Sequence, residues 1–119
     1  MGEERFQVII AGSRGFNDFE LLTRKCDYVF SRRRPTCIIT GGARGADTLG
    51  KRYATLRKIP STVIPAKWSY GKLAGYQRNE EMLKQADALI AFWDGHSHGT
   101  GHMIRIAKEK KIPVRVIYV

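Results

Sequence analysis

ITGGARGADTLG, residues 39–50, leaves a β-branched run, crosses glycines at Gly41, Gly42 and Gly45, and enters a helical spacing of apolar residues. Glycine loses the most conformational freedom on folding, so three of them together imply a backbone that turns tightly or closely approaches another group. Upstream, residues 36–40 read as a strand opened by Pro35. Downstream, Ala46, Leu49, Tyr53 and Leu56 share one face of a helix expected over residues 46–58. The stretch is therefore a strand, a glycine turn and a helix: half of a βαβ unit.

The rest of the chain repeats that alternation. Residues 6–11 form an apolar run ending in GSRG, and residues 18–31 carry Phe19, Leu22, Cys26, Val29 and Phe30 at helical spacing behind Asn17 or Asp18 as N-cap. A short strand is expected at 61–64. An aromatic, glycine-dotted loop covers 66–76, with a third helix from there to about Gln85. Residues 86–93 read as a strand interrupted only by Asp87, residues 99–111 as a fourth helix and 114–119 as a last strand. Unbroken apolar strands imply cover on both faces. Five strands alternating with four helices predict right-handed crossovers and a Rossmann-like, doubly wound parallel α/β sheet of order 3-2-1-4-5. No repeat or linker divides the chain, so residues 1–119 are expected to form one domain.

Composition narrows the partners. The formal net charge of +10 favours polyanionic or phosphorylated ligands, although the runs Arg32-Arg33-Arg34 and 108–111 fall at helix ends, where cations complement the dipole. No apolar run is long enough to span a membrane, and MGEERFQVII lacks the pattern of a secretory signal. Cys26 and Cys37 have no ligand spacing and read as buried free thiols, so a cytoplasmic location is expected.

In the predicted fold, four loops leave the carboxyl ends of the strands: GSRGF (12–16), GGARGAD (41–47), KWSYGKLAGYQRN (67–79) and DGHSHGTGHM (94–103). One glycine loop is ordinarily a tight turn, but four at one edge point to a ligand. Helix N-termini there offer free N–H groups to an anion, Ser13 and Thr100 add hydroxyls, and Arg14, Arg44 and Arg78 add planar bidentate donors. The loops match neither GxGxxG nor GxxxxGK[ST], so dinucleotide and P-loop readings are disfavoured and no cofactor is expected. The glycines at 41, 42 and 45 are read as letting the second helix reach a phosphate.

GSRGF, ITGGARGAD, W-x-x-x-G-x-x-A-G-x-x-RN-x-x-M and ADALIAFWDG with SHGTGHMI together resemble the SLOG superfamily, which includes DprA and the LOG phosphoribohydrolases. The resemblance is nearest to its small stand-alone YspA/YpsA-related branch and runs from about Val8 to Val116. It implies a Rossmann-type domain holding nucleotides or nucleotide-derived ligands at Gly12, Ser13, Arg14, Gly41, Gly42, Arg44, Gly45, Asp47, Trp68, Arg78, Asn79, Gly99, Thr100 and Gly101. Likeness to LOG enzymes implies that Gly99-Thr100 bind phosphate and that Arg78 lies beside the glycosidic bond, while Met103 stands where their catalytic glutamate belongs. Arg78, Asp94 and Glu81 (or Glu80) are then the candidates for catalysis. Likeness to DprA implies instead that Ser13, Arg14, Gly42, Arg44, Gly45, Arg78 and Asn79 contact single-stranded DNA.

Trp68, Tyr70 and Tyr76 either stack a nucleobase or pack their loop onto the sheet. Trp93, ending a buried strand, is expected in the core. His96, His98 and His102 lack the spacing of a metal site, so no metal is expected, and His102 is expected to face ligand or solvent. Asp47 is open to two roles, accepting from ribose hydroxyls or holding Arg44. Arg78 reads as an exposed first-turn arginine, where the helix dipole disfavours a cation and a bound phosphate would compensate. The expectation is a protein that binds a phosphorylated nucleotide or a derivative of one, as sensor, sequestering protein or processing enzyme. Single-stranded nucleic-acid binding and nucleotide N-glycosidic hydrolysis are the alternatives, and assembly as a homodimer is left open.

Overall fold

A computed structural model describes residues 4–119, apart from the side chains of Tyr70 and Lys72. Five parallel strands, β1 (Gln7–Gly12), β2 (Cys37–Thr40), β3 (Ser61–Val63), β4 (Ala88–Trp93) and β5 (Val114–Tyr118), form one sheet in the order β3-β2-β1-β4-β5. Helices α1 (Phe19–Val29), α2 (Ala46–Leu56), α3 (Ala74–Gln85) and α4 (His98–Glu109) connect them. The expected doubly wound α/β fold and strand order are what the molecule has.

Alternating side chains of the central strands feed two cores. Val8, Ile10, Ile38, Ile90 and Phe92 pack with Leu22, Cys26, Tyr53 and Ala54 of α1 and α2. Ile9, Ala11, Ile39, Leu89 and Ala91 pack on the opposite face with Met82, Leu83, Met103, Ile104 and Ala107 of α3 and α4. Hydrophobic burial on both faces explains why β1 and β4 read as continuous apolar runs. The edges differ: β3 is only three residues long and exposed throughout.

Four local details depart from the sequence reading. The loop at 66–76 contains a 3-10 segment, Trp68–Leu73, kinked at Gly71, and α3 begins within it, at Ala74. Arg78 therefore lies in the second turn of α3 rather than its first. Asp87 precedes β4 instead of interrupting it. Its carboxylate accepts from the Gln7 N–H at 2.8 Å and from Arg5 at 3.0 Å, tying down the start of β1. Cys26 is buried, and desolvation pushes its thiol up to about 12, but Cys37 is only partly buried. The Asp18 cap is present, with Oδ1 accepting from the Leu21 N–H at 3.0 Å.

Candidate functional site

All four helices start at the carboxyl edge of the sheet, because every connection is a parallel crossover. The strand order reverses between β1 and β4, and a crevice opens there as it does at such switch points. The cleft has a volume of about 430 Å3. Gly12 and Arg14 come from the β1 loop, Ala43 and Asp47 from the β2 loop and α2, Trp68, Tyr76, Arg78 and Asn79 from the third loop and α3. Ser97, His98, Gly99 and Thr100 come from the start of α4, and Met103 and Met82 from the α4 and α3 faces that line it.

The join between β1 and β4 is built from hydroxyls and a carboxylate. Ser13, which is buried, accepts from the Asp94 N–H at 3.0 Å and lies 3.2 Å from Ser97 Oγ. Asp94 closes the turn before α4: its Oδ1 accepts from the N–H groups of His96 and Ser97, both at 2.8 Å, and its Oδ2 from the Ser97 hydroxyl at 2.9 Å. Those backbone donors hold the Asp94 carboxyl down at about 2. Ser97 is the N-cap of α4, yet its hydroxyl caps no N–H of the helix. Gly101 N–H makes the first intrahelical bond, to Ser97 O at 3.0 Å, so the amides of His98, Gly99 and Thr100 precede any intrahelical acceptor. All three residues line the cleft. Neither α2 nor α3 has a side-chain N-cap either, whereas α1 does.

Glycines make the close contacts of this edge. A Cβ on Gly12 would stand 2.2 Å from Phe92 O, and one on Gly45 would stand 2.3 Å from Ser13 O. Gly45 also has φ +76°, in the left-handed region that side chains resist. Gly41 has a different reason. A Cβ there would meet Arg78 Nη1 at 2.4 Å and Asp47 Oδ2 at 2.8 Å, so its bare Cα makes room for those two side chains.

Arg78 and Asp47 form the polar wall of the cleft. The Arg78 guanidinium donates through Nη1 to Gly41 O, and through Nε to Asn79 Oδ1 at 3.3 Å. Burial lowers its pKa, and the nearby Asp47 charge opposes that shift. The Asp47 carboxylate is 6% exposed and accepts from the Ala43 N–H at 3.1 Å. Desolvation raises its pKa, against the Ala43 and Gly41 amides and the charges of Arg78 and Arg14. Arg78, not Arg44, is thus the arginine beside Asp47. Asn79, also buried, donates through Nδ2 to Gly99 O at 3.0 Å and lies 3.1 Å from His102 Nδ1, pinning α3 to the first turn of α4.

The remaining nominated residues fall into distinct places. Gly42 and Arg44 line an adjoining groove with Arg14, Pro65, Trp68 and Arg78. Gly101 backs onto Trp93, and Trp93 Nε1 donates to Ser97 O at 3.0 Å while its ring packs into the α3–α4 core. Glu81 lies outside the cleft, exposed and paired with Lys84 at 2.8 Å, and Glu80 is exposed beside it. Met103 is buried at the cleft floor. Trp68 is 58% exposed at the cleft mouth, with the Arg14 guanidinium 5.8 Å from its ring centroid. The Tyr76 ring meets His102 at a tilt of 42° with centroids 4.4 Å apart, and Tyr70 lies outside the described side chains. His98 reaches the cleft, and His102 the neighbouring hollow between α3 and α4. No helix among the described residues is long and apolar enough to cross a membrane.

Ser97 and Ala43 are among the cleft residues that escaped the sequence reading. Ser97 has a signal in retrospect: Asp94-Gly95-His96-Ser97 has the composition of an Asx turn leading into a helix. Ala43, which gives Asp47 its amide, has none, because an alanine contributes only backbone there.

Comparison with known proteins identifies the family. The profile of the YspA, cpYpsA-related SLOG family matches residues 6–71, which contain the β1 and β2 loops and both of their glycine turns. The Gene 61 protein of Mycobacterium phage D29 is 37% identical over 116 residues, covering 91% of this chain and 93% of the phage protein. That likeness extends over most of the chain, beyond the span of the profile. With its sheet order, its glycine turns and a relative matched nearly end to end, the chain belongs to the YspA, cpYpsA-related SLOG family.

Proposed function

We propose that the cleft binds a phosphorylated nucleotide or a nucleotide-derived ligand. One observation carries the reading: His98, Gly99 and Thr100, which open α4 without a side-chain cap on their amides, line the same cleft as Arg14, Arg78 and the exposed Trp68. Helix N–H groups and arginines suit a phosphate. An aromatic face at the mouth suits a base, at about 1–3 kcal/mol per stacked base. Family membership is consistent with such a ligand.

In this arrangement Gly99, Thr100 and Arg14 hold the phosphate, Trp68 stacks the base, and Arg78 and Asn79 fix the wall between them. Ser13, Gly12 and Gly45 act through the backbone geometry that brings the loops together. A thermal-shift panel of mono-, di- and cyclic nucleotides, NAD and ADP-ribose tests the reading. At least one member at millimolar concentration is expected to raise the melting temperature, and a flat response to all of them contradicts it.

A second reading has its own support. The groove lined by Arg14, Arg44 and Arg78 beside Trp68 continues past the cleft, which suits a single-stranded nucleic acid whose phosphates run along the arginines. Micromolar binding of oligo-dT at physiological salt, without any response to mononucleotides, selects it. For hydrolysis, incubation with nucleoside monophosphates is expected to release no free base, because Met103 stands at the position of the LOG glutamate and Asp94 and Glu81 are engaged elsewhere. Base release that disappears in Arg78→Ala selects the hydrolase.

A further inference from the structure

We infer that Asp47 makes the cleft selective for a ribose bearing its 2′-hydroxyl, so that ribonucleotides are preferred over their 2′-deoxy counterparts. The inference rests on the nucleotide reading of the cleft and narrows it.

Asp47 is the sole carboxylate among the residues that line the cleft, and the other polar groups there are mostly donors: three helix amides, two guanidinium groups and the Thr100 hydroxyl. An ionised carboxylate only accepts hydrogen bonds, and burial is costly unless its oxygens are satisfied. The Ala43 and Gly41 amides satisfy part of that need. Arg78 gives its hydrogen bonds to Gly41 O and Asn79 Oδ1, and no ion pair within 4.0 Å involves Asp47 among the described residues. Accepting capacity therefore remains on a wall that a ligand would cover.

A ligand suited to this wall brings an anion to the start of α4 and a hydrogen-bond donor to Asp47. A ribose 5-phosphate unit carries both, as a phosphate and vicinal hydroxyls on one small frame. A deoxyribose would cover the carboxylate without supplying the 2′ donor, and a phosphodiester placed there would meet like charge. Gly41 belongs to the same device, since any side chain at 41 would displace Asp47 and Arg78 together.

The test is calorimetric titration of the full chain, wild type and Asp47→Asn, with AMP, GMP, CMP and UMP and their 2′-deoxy counterparts. Asparagine keeps the shape and an acceptor for the Ala43 amide, and apo melting at neutral pH is expected to be unchanged or raised. Wild type is expected to prefer the ribonucleotide about ten-fold or more for every base that binds. Asp47→Asn is expected to bring that ratio towards one. Equal wild-type affinities within each pair overturn the inference and leave the nucleotide reading intact. A preference that follows the base but not the sugar, or that persists in Asp47→Asn, also overturns it. Failure of all eight to bind overturns the inference, and the wider thermal-shift panel then decides the nucleotide reading.

Discussion

Arg78 is wedged between α3 and the β2 loop, with its guanidinium on Gly41 O and its charge beside buried Asp47. Removing it strips a charged donor from a buried carbonyl and takes away a cation facing Asp47. Arg78→Ala is therefore expected to lower apo stability by about 1–3 kcal/mol, measured by urea unfolding, and to weaken ligand binding as well. Arg78→Lys should recover part of each, since a lysine reaches but cannot fork. From sequence, Arg78 reads as an exposed first-turn arginine whose cost a bound phosphate offsets. The discrepancy arises because its partner is a backbone carbonyl 37 residues away, which no local pattern reveals. The pKa values of Asp47 and Asp94 are shifted in opposite directions. Asp47 has a folded pKa above the ordinary 3.8, so its ionisation costs stability as pH rises from 3.8 through that folded value, and the cost persists at neutral pH. Asp94 is held at about 2, so its contribution is present above 3.8 and disappears as pH falls towards 2. Carbon-13 NMR of the side-chain carboxyls checks both directions, and Asp47→Asn should remove the first of these pH dependences.

At the level of elements, the site depends on how tightly strands hand over to helices. Gly45→Ala is expected to destabilise the fold by about 1–3 kcal/mol or more, because it combines a left-handed φ with a clash against the Ser13 carbonyl. Urea unfolding measures it, and a loss below about 0.5 kcal/mol would show that the turn can relax. Strands, helices and sheet order were legible because apolar runs of strand length alternate with helical spacing, and the Asp18 cap was legible from its residue type. Helix ends were less so: α1 and α2 stop at Val29 and Leu56, each two residues short of the expected ends at residues 31 and 58. The start of α3 was hidden because the 3-10 turn before it carries glycines and aromatics that resemble an open loop. Of the nominated glycines, Gly12 and Gly45 turned out to serve contacts within the protein, and Gly41 the seating of Arg78 and Asp47. Composition marks such positions without saying whether the close neighbour is a ligand or the chain itself.

Across the whole molecule, the parallel sheet separates two poles. Helix N-termini gather at the cleft, and helix C-termini gather at the opposite edge with Arg32, Arg33 and Arg34, Arg57 and Lys58, and Lys108, Lys110 and Lys111. Several acids near that edge are committed, Asp27 to Arg57 and Asp87 to Arg5. Much of the +10 charge thus lies away from the cleft. Mononucleotide affinity is expected to fall only modestly between about 50 and 200 mM salt, whereas any oligonucleotide binding should fall steeply, because it neutralises many phosphates at once. Titrations at both salt concentrations separate the two.

The most direct test of the nucleotide reading is to map where a nucleotide lands. A series of 1H–15N correlation spectra recorded while AMP is added to the labelled full chain reports binding and position together. Saturable shifts are expected, centred on the amides of His98, Gly99 and Thr100 and extending to Ala43, Asp47 and the Trp68 indole N–H. Saturable shifts confined instead to the edge carrying Arg32 to Arg34 and Lys108 to Lys111 would place the nucleotide away from the cleft and sink the reading.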